Sequence, residues 1–309
     1  MNRAEGAPAF GELSMEELKG VLEGTDYVAN DHILTTVLLS LKLGKPLLIE
    51  GEPGSGKTEL GKVLADGFET ELIRLQCYEG LTAESALYEW NYSKQLLTLQ
   101  ADEEPVADGD TVFDEEFLLK RPLLRALSSD GDTPPVLLID EIDRADEEFE
   151  ALLLEVLSDF QVSIPEYGTV TAEKPPIVVI TSNRTRGLSD ALKRRCVYLN
   201  IGPPSFEKEQ EIVRRKVPEL EDSLAAATVG IAQRLRREPL LKQPGAAETL
   251  DLARAVATLR ENGDGPLTEA DIEQALGVVL KESEDIAQLD DELMGDLLSA
   301  ADEARQAGD

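Results

Sequence analysis

Five short apolar runs recur along the first two thirds of the chain, each about as long as a buried strand. Stretches with apolar residues at helical spacing separate these runs. The clearest is Glu147 to Phe160, where Phe149, Leu152, Leu153, Val156 and Leu157 share one face. The alternation predicts an α/β fold with a five-stranded parallel sheet covered on both faces. The predicted strands are Leu47–Glu50, Leu72–Cys77, Val136–Asp140, Ile177–Ser182 and Val197–Ile201.

The pattern changes downstream of residue 160. Two short runs of β-type residues, 162–164 and 169–171, flank Pro165-Glu166-Tyr167-Gly168. This arrangement is typical of a β-hairpin, which we predict within about 161–174. The acidic stretch 102–116 shows no periodicity, and we predict a solvated loop there.

Only helical periodicity remains after Gly202-Pro203-Pro204, so the prolines indicate a domain boundary. Ser205 is a candidate N-cap for a helix over 206–216. Thr268 and Asp271 form a candidate capping box for a helix that reaches about Lys281. The predicted organisation is an N-terminal extension over 1–24, an α/β domain over 25–203 and a small all-helical domain over 204–309.

The segment from Gly51 to Thr58 fits the pattern Gly-x-x-x-x-Gly-Lys-Ser/Thr of phosphate-binding loops. Its glycines allow a tight turn whose backbone N–H groups face an anion. Lys57 can reach the β- and γ-phosphates of a nucleotide, and the Thr58 hydroxyl can bind Mg²⁺. A predicted strand precedes the loop and a helical pattern follows it, which argues against a glycine-rich turn that binds nothing. The predicted nucleotide-binding residues are Gly51, Glu52, Pro53, Gly54, Ser55, Gly56, Lys57, Thr58 and Glu59.

Two further predicted strands end in polar residues suited to phosphoryl transfer. Asp140 and Glu141 close an apolar strand about 80 residues after the phosphate loop. We predict that Asp140 holds Mg²⁺ together with Thr58, and that Glu141 polarises the attacking water. Asn183 follows the next strand and could orient the same water; the alternative is an ordinary turn-forming residue.

Arg194 and Arg195 stand immediately before the last predicted strand. A guanidinium at this position can point out of its own subunit and reach a neighbour's γ-phosphate, where it would offset transition-state charge. The alternative is a surface salt bridge. We predict the first role for Arg195, with Arg194 as the second candidate.

The chain is strongly acidic, with 62 acidic and 30 basic residues, a formal net charge of −32 and a pI near 4.3. The acids are spread along the whole chain rather than gathered in a tail. We interpret this as adaptation to concentrated salt, where screening makes self-repulsion tolerable; the alternative is an ordinary acidic protein. Either interpretation disfavours nonspecific binding to nucleic acid or to anionic membranes.

Other features bear on compartment and on excluded chemistry. The sequence begins without the apolar core of a signal peptide, and lysines break the best hydrophobic stretch, so we expect no membrane span and a cytoplasmic protein. Cys77 and Cys196 lack metal-ligand spacing and are expected to be buried thiols in a reducing cytoplasm. His32 is the only histidine, which nearly excludes a His-based triad or a multi-His metal site.

With these parts in order, the chain resembles an AAA+ ATPase, and within that class the MoxR family. The resemblance extends from Thr25 to about Leu280. Within the family the chain looks closer to the branch associated with carbon-monoxide dehydrogenase maturation (CoxD-like). The most specific stretches are Leu48–Thr58, Leu138–Ala145, Leu152–Pro165 and Ile180–Cys196.

The resemblance implies a P-loop AAA+ core with a helical lid, and it implies ATP and Mg²⁺ as ligands. Lys57 and Thr58 would form Walker A, Asp140 and Glu141 Walker B, Asn183 sensor 1 and Arg195 the arginine finger. It also implies a homo-hexameric ring and a partner with a von Willebrand factor A domain. The client would be a protein under maturation, with a molybdenum hydroxylase as the candidate.

Two positions bear on how closely the chain follows the family pattern. The first departs from it, and the second has two interpretations. The family's lid carries a sensor 2 arginine in a Pro-Arg context, whereas this chain has Pro244-Gly245-Ala246-Ala247-Glu248, and Arg254 lies about two turns further on. Gln76 ends the second predicted strand, where some relatives place a polar residue that restrains the catalytic glutamate. The alternative for Gln76 is an ordinary strand-end residue.

Three functions fit the sequence. The favoured one is a motor-like chaperone that remodels a client protein. A nucleic-acid loader would use the basic residues 234–237 and 214–216, although local pairing on helix faces explains them better in so acidic a chain. A nucleotide-gated scaffold with little turnover is the third function, which the missing sensor 2 arginine keeps open.

Overall fold

The computed structural model describes residues 10–25, 27–101, 112–260 and 265–308. These residues form two compact units. The first contains the described residues up to Asn200, apart from 27–28 and 51–56. The second contains those two short stretches and everything described from Ile201 on. Each unit has an apolar core of its own.

A five-stranded sheet forms the centre of the first unit, with strand order β2-β5-β8-β1-β9, so the prediction of a five-stranded parallel sheet is confirmed. β2, β5, β8 and β1 pair in parallel register, for example Leu72 with Val136 and Leu47 with Val179. The strands of the chain are β1 Leu47–Gly51, β2 Leu72–Gln76, β3 Tyr88–Trp90, β4 Leu118–Lys120, β5 Val136–Asp140, β6 Gln161–Ile164, β7 Gly168–Thr171, β8 Ile177–Ser182 and β9 Val197–Ile201.

Burial along the strands follows their place in the sheet. Every residue of β1, β5 and β8 is buried, as expected for central strands covered on both faces. β2 lies at one edge and alternates instead, with Ile73 and Leu75 buried and Arg74 and Gln76 exposed. The edge strand therefore presents two polar side chains next to β5.

The α-helices of the described residues are α1 Met15–Glu23, α2 Asp31–Leu43, α3 Lys57–Gly67, α4 Ala83–Ala86, α5 Tyr92–Ala101, α6 Pro122–Leu127, α7 Glu147–Asp159, α8 Asp190–Arg195, α9 Phe206–Lys216, α10 Asp222–Leu235, α11 Ala246–Leu259, α12 Glu269–Leu276, α13 Ser283–Ile286 and α14 Asp291–Gly308. Side-chain caps fix several starts: Ser14, Asp146 and Ser205 each accept a hydrogen bond from the third residue beyond.

α1 belongs to the first unit, whereas the sequence placed 1–24 in a separate extension. It packs against α2 and α3 and buries Leu18 and Leu22 completely or nearly so. Only these two residues of a nine-residue helix are buried, which is too few to reveal the packing as a pattern.

The hairpin prediction is confirmed by β6 and β7, which pair antiparallel from Gln161 opposite Thr171 to Ile164 opposite Gly168. A second antiparallel pair, β3 with β4, was not predicted. Trp90 of β3 and Leu118 of β4 belong to the same apolar cluster as Ile164 of the hairpin. Of the predicted loop 102–116, residues 102–111 lie outside the described residues, and the remainder leads into a short 3-10 helix, Glu115–Phe117.

The second unit is helical beyond β9. α10 buries ten of its fourteen residues, including Gly230, where an added Cβ would lie 2.6 Å from the Ala300 carbonyl oxygen of α14. α12 ends at Leu276 rather than near Lys281, because the following Gly277 is a poor helix former. In the part of the chain that the structure describes, no helix is both long and apolar enough to span a bilayer.

Candidate functional site

The predicted phosphate loop links β1, which ends at Gly51, to α3, which begins at Lys57. Gly54 and Gly56 have φ values of 76° and 87°, which side chains other than glycine rarely adopt. The buried Ser55 Oγ has no hydrogen-bond partner among the described residues, so an incoming phosphate oxygen would satisfy it. These features fit a nucleoside phosphate.

The other predicted binding residues differ in how exposed they are. Glu52 and Pro53 are exposed, and Glu59 in the first turn of α3 pairs with Lys62 at 3.3 Å. Lys57 is buried, and this burial lowers the pKa of its ammonium, while Asp143, Asp140 and Glu141 act in the opposite direction. The three carboxylates favour the charged form that would bind phosphates.

Asp140 and Thr58, the predicted Mg²⁺ pair, are in direct contact. Thr58 Oγ1 donates to Asp140 Oδ1 at 2.9 Å, and Thr181 Oγ1 donates to the same oxygen at 2.6 Å. Arg74 Nη2 of β2 donates to the other oxygen, Oδ2, at 2.6 Å. A hydroxyl beside a buried carboxylate is an oxygen donor set that suits Mg²⁺.

Glu141 adopts the left-handed backbone region, with a φ of 57°. A non-glycine residue there costs about 1–3 kcal/mol and persists where the surrounding structure enforces it. Its backbone N–H donates to Thr181 Oγ1 at 2.9 Å. Gln76 Nε2 donates to its carboxylate at 3.1 Å, and the Asn183 amide lies 3.4 Å from Oε1 on the other side. The structure therefore brings together Glu141, Asn183 and Gln76.

Asp143 holds the turn that carries Asn183. Its carboxylate accepts from the backbone N–H groups of Asn183 at 3.0 Å and of Thr185 at 2.9 Å, and from Thr185 Oγ1 at 2.6 Å. Burial alone would raise the pKa of Asp143, but these hydrogen bonds outweigh it and lower the pKa. Asp143 was not predicted to belong to the site, since its partners come near it only when the chain returns at β8.

Four more residues of the site were not predicted: Arg74, Thr181, Arg184 and Glu50. Arg74 could have been found: it stands two residues before Gln76, so both side chains leave the same face of an edge strand. Arg74 Nη2 also donates to Gln76 Oε1 at 2.6 Å. The two β2 side chains thus connect the carboxylates of Asp140 and Glu141.

Arg194 and Arg195 lie in the last turn of α8 and are exposed. Within the described residues, neither side chain makes a hydrogen bond or ion pair, and no such contact links Arg195 to Asp140, Glu141 or Asn183. The neighbouring Lys193 differs, because its ammonium lies 3.8 Å from the Glu50 carboxylate. Two unpaired guanidiniums are notable in a chain with twice as many acids as bases.

The start of α11 occupies the position where the family pattern expects sensor 2, and it lies in the same unit as residues 51–56. The Ala247 N–H contacts the Gly54 carbonyl oxygen at 3.3 Å. A Cβ on Gly245 would lie 2.9 Å from the Pro53 carbonyl oxygen, so only glycine fits without a shift. Arg254 is exposed and pairs with Asp251 at 3.4 Å.

A buried ion pair supports this helix start. Arg236 donates to both carboxylate oxygens of Glu209, at 2.7 and 2.5 Å, and its Nε donates to the Pro244 carbonyl oxygen at 2.6 Å. The Thr249 hydroxyl donates to Glu209 at 2.6 Å. The network fixes the residues immediately before and within the first turn of α11.

The basic residues considered for nucleic-acid binding are largely paired with acids. Arg214 lies 2.9 Å from Asp222, Arg215 pairs with Glu211, and Arg234 pairs with Glu238 and Asp296. Together with the Arg236–Glu209 pair, these contacts neutralise most of the predicted basic patch.

Both cysteines are free; Cys77 is buried and Cys196 half-buried. Burial raises the pKa of each thiol to about 12, so neither is a reactive nucleophile. Within the described ranges, no cluster of three or more metal-binding side chains occurs.

Comparison with known proteins agrees with this geometry. Residues 46–196, about half of the chain, match the family described as "AAA domain (dynein-related subfamily)". The segment is therefore an AAA domain, and the protein is an ATPase. The matched segment contains the phosphate loop, both acids at the end of β5, and Asn183.

The chain is similar in sequence to two further proteins and in fold to one solved structure. An uncharacterised protein of Staphylococcus saprophyticus is 25% identical over 78% of this chain and 86% of its own. The denitrification regulatory protein NirQ of Pseudomonas aeruginosa is 24% identical over 77% and 84%. Among solved structures, a variant of Thermotoga maritima RuvB is 20% identical with a TM-score of 0.48, over 86% of this chain and 70% of its own.

Proposed function

We propose that this ATPase hydrolyses ATP in a ring of identical subunits and uses the energy to remodel a client protein, in the manner of MoxR-type chaperones. The observation that carries the proposal has two parts. The groups suited to hydrolysis lie close together in the first unit, and two arginines of α8 are exposed and have no side-chain partner among the described residues. Thr58 donates to Asp140 at 2.9 Å and the Asn183 amide lies 3.4 Å from the carboxylate of the adjacent Glu141, while Arg194 and Arg195 are exposed.

Each residue of the site has a distinct role in this proposal. Lys57 binds the β- and γ-phosphates, and Thr58 and Asp140 hold Mg²⁺, which neutralises charge on the phosphates when it is bound. Glu141 accepts a proton from the attacking water, and Asn183 orients that water from the opposite side. Arg195 acts on the site of a neighbouring subunit, with Arg194 as the second candidate.

The partners follow from the family resemblance. We propose a homo-hexamer, a partner with a von Willebrand factor A domain, and a client under maturation such as a molybdenum hydroxylase, within the CoxD-like branch. The two free, protected thiols suit a reducing cytoplasm. The pairing of Arg214, Arg215, Arg234 and Arg236 with acids argues against the nucleic-acid loader.

Mixed rings test the assignment of Arg195. Arg195→Ala subunits retain Glu141, and Glu141→Gln subunits retain Arg195, so each variant alone should be inactive. In a mixed ring, some sites combine an intact glutamate with an intact arginine from the neighbour, and part of the ATPase activity should return. Phosphate release is measured as a function of the mixing ratio.

Arg194→Ala is the matched control, because it removes the adjacent guanidinium of the same helix turn. It should retain activity when assembled alone. If co-assembled rings of the first two variants stay inactive, Arg195 does not act between subunits. ATP binding without turnover in the wild-type protein would instead favour the nucleotide-gated scaffold.

A further inference from the structure

Glu50, next to last in β1, is a buried carboxylate that none of the proposed steps uses. It is 6% exposed, and a buried charge needs partners. Arg184 Nε donates to Glu50 Oε2 at 3.0 Å, and the Tyr198 hydroxyl donates to the same oxygen at 2.9 Å. Lys193 Nζ lies 3.8 Å from Oε1. The turn after β8, helix α8 and strand β9 therefore each provide a partner for the Glu50 carboxylate.

Arg184 is held through both its backbone and its side chain. Its φ is 60°, a left-handed conformation that a non-glycine residue keeps only where its neighbours enforce it. Its backbone N–H contacts Ser182 Oγ at 3.1 Å. Its Nη2 donates to the Tyr198 hydroxyl at 2.9 Å and to Asn200 Oδ1 at 2.7 Å. The side chain thus anchors the turn after β8 to β1 and β9.

The turn 183–185 is consequently fixed by two carboxylates. Asp143 accepts from the backbone of Asn183 and Thr185 on one side. Glu50 holds the intervening Arg184 by its side chain. The amide of Asn183, which emerges from this turn, lies 3.4 Å from Glu141 Oε1. A change at Glu50 would therefore move Asn183 without any direct contact with it.

Glu50 also reaches the helix that carries the exposed arginines. Lys193 stands two residues before Arg195 in α8, a six-residue helix. The pair between Lys193 and Glu50 links that helix to the same carboxylate that holds the Asn183 turn. The two groups proposed to act on the γ-phosphate from different subunits thus share one anchor.

We propose that Glu50 is a positioning residue for hydrolysis, orienting Asn183 through Arg184 and α8 through Lys193. The inference rests on the proposed function of Asn183 and Arg195. Because Glu50 acts through other residues, its loss slows turnover while nucleotide binding is kept.

The test is Glu50→Gln, which keeps size and removes charge, compared with Glu155→Gln on the exposed side of α7. kcat should fall about tenfold, the lower end of the effect of losing an outer-shell partner. KM and the Kd for a fluorescent ATP analogue should stay close to wild type. Hydrogen–deuterium exchange should rise at the amides of 183–185 and remain unchanged in the control.

A double-mutant cycle with Arg184→Gln tests whether Glu50 affects turnover through Arg184 or through a general loss of structure. If Glu50 acts through Arg184, the double variant should lose no more kcat than the more damaging single variant. Should Glu50→Gln fail to fold, Tyr198→Phe removes one donor from Glu50 at nearly constant volume and should shift kcat and exchange in the same direction, by less.

Wild-type kcat and exchange in Glu50→Gln would overturn the inference, as would strictly additive losses in the cycle. Equal losses of kcat and ATP affinity would assign Glu50 a purely structural role and overturn it too. A wild-type protein without ATP turnover would refute the proposed function instead. The exchange measurement would then still decide whether Glu50 holds the turn.

Discussion

At the scale of single residues, the site is defined by how its two acids are held. Asp140 is 3% exposed and accepts hydrogen bonds from both threonines and Arg74, whereas Glu141 is partly exposed and lies between Gln76 and Asn183. The first environment suits a fixed metal ligand. The second suits a group that must exchange a proton with water.

Lys57 and Glu141 should therefore fail in different ways. Lys57→Ala removes a charged contact to phosphate worth about 1.5–3 kcal/mol, so ATP affinity should fall about tenfold to a hundredfold. Glu141→Gln keeps shape but cannot accept a proton, so ATP should bind normally while turnover falls about a hundredfold or more. Isothermal titration gives affinity, and phosphate release gives turnover.

Glu155→Gln serves as the control for an exposed carboxylate of the same unit. Normal turnover in Glu141→Gln would remove Glu141 from the mechanism. Unchanged ATP affinity in Lys57→Ala would show that the loop backbone suffices to bind the phosphates.

Several of these residues could be predicted from sequence because each follows an apolar strand. Asp140, Glu141 and Asn183 all stand at such ends, and the loop glycines follow a fixed spacing. Asp143, Arg184 and Glu50 could not be predicted, since each has a hydrogen-bond partner 40 or more residues away, up to 148 for Glu50 and Tyr198, and such pairs carry no periodic signal. Their charges look like ordinary surface charges until the strands are placed.

At the scale of elements, the start of α11 packs closely against the backbone of the phosphate loop. Gly245 and Gly54 lack the side chains that would separate the helix start from the loop, and the Arg236–Glu209 pair fixes Pro244. The lack of an arginine in this stretch is visible in the sequence, but this contact is not. Likewise the five core strands were predicted, but β3 and β4 were not, because at three residues each they are too short to show alternation.

Gly245→Ala should lower stability, because its Cβ would lie 2.9 Å from the Pro53 carbonyl oxygen and 3.1 Å from Gly54 Cα. Overpacking of this kind costs about 1–3 kcal/mol. The melting temperature should fall, and ATP–Mg²⁺ should raise it by less than in the wild type. Differential scanning calorimetry with and without nucleotide measures both effects.

Gly277→Ala is the matched control. Its φ is −61° and no atom lies within 4 Å of the added Cβ, so the substitution should stabilise the protein by about 0.4–1 kcal/mol. Equal melting temperatures for the two variants would show that the loop accommodates the methyl group at Gly245.

At the scale of the whole molecule, the excess of acids dominates. The 62 acids outnumber the 30 basic residues about two to one, so even complete pairing would leave 32 acids without a cation, and like charges repel across the surface. Screening shortens this repulsion from about 10 Å at 0.1 M salt to about 3 Å at 1 M. We therefore expect added salt to stabilise the folded state.

The melting temperature should accordingly rise steeply between about 0.1 M and 3 M KCl. Bound ATP–Mg²⁺ should add to it at every salt concentration, since a ligand stabilises the state that binds it. CsCl at equal ionic strength is the control and should give a similar curve, because screening depends on ionic strength. A flat curve would refute the halophilic interpretation.

The strand order has a consequence for how the protein acquires its activity. β1 pairs with β8, so residues 47–50 meet residues 179–182 only after the intervening chain has closed a long loop. Contacts between residues so far apart in sequence form slowly, because the chain must lose the conformational entropy of the loop before the contacts can stabilise it. The hydrolytic groups come from β1, β5 and β8 and their flanking turns. A nascent chain that ends before β8 therefore has the phosphate loop but lacks Asn183, and competence for hydrolysis arrives only with the late closure of the sheet.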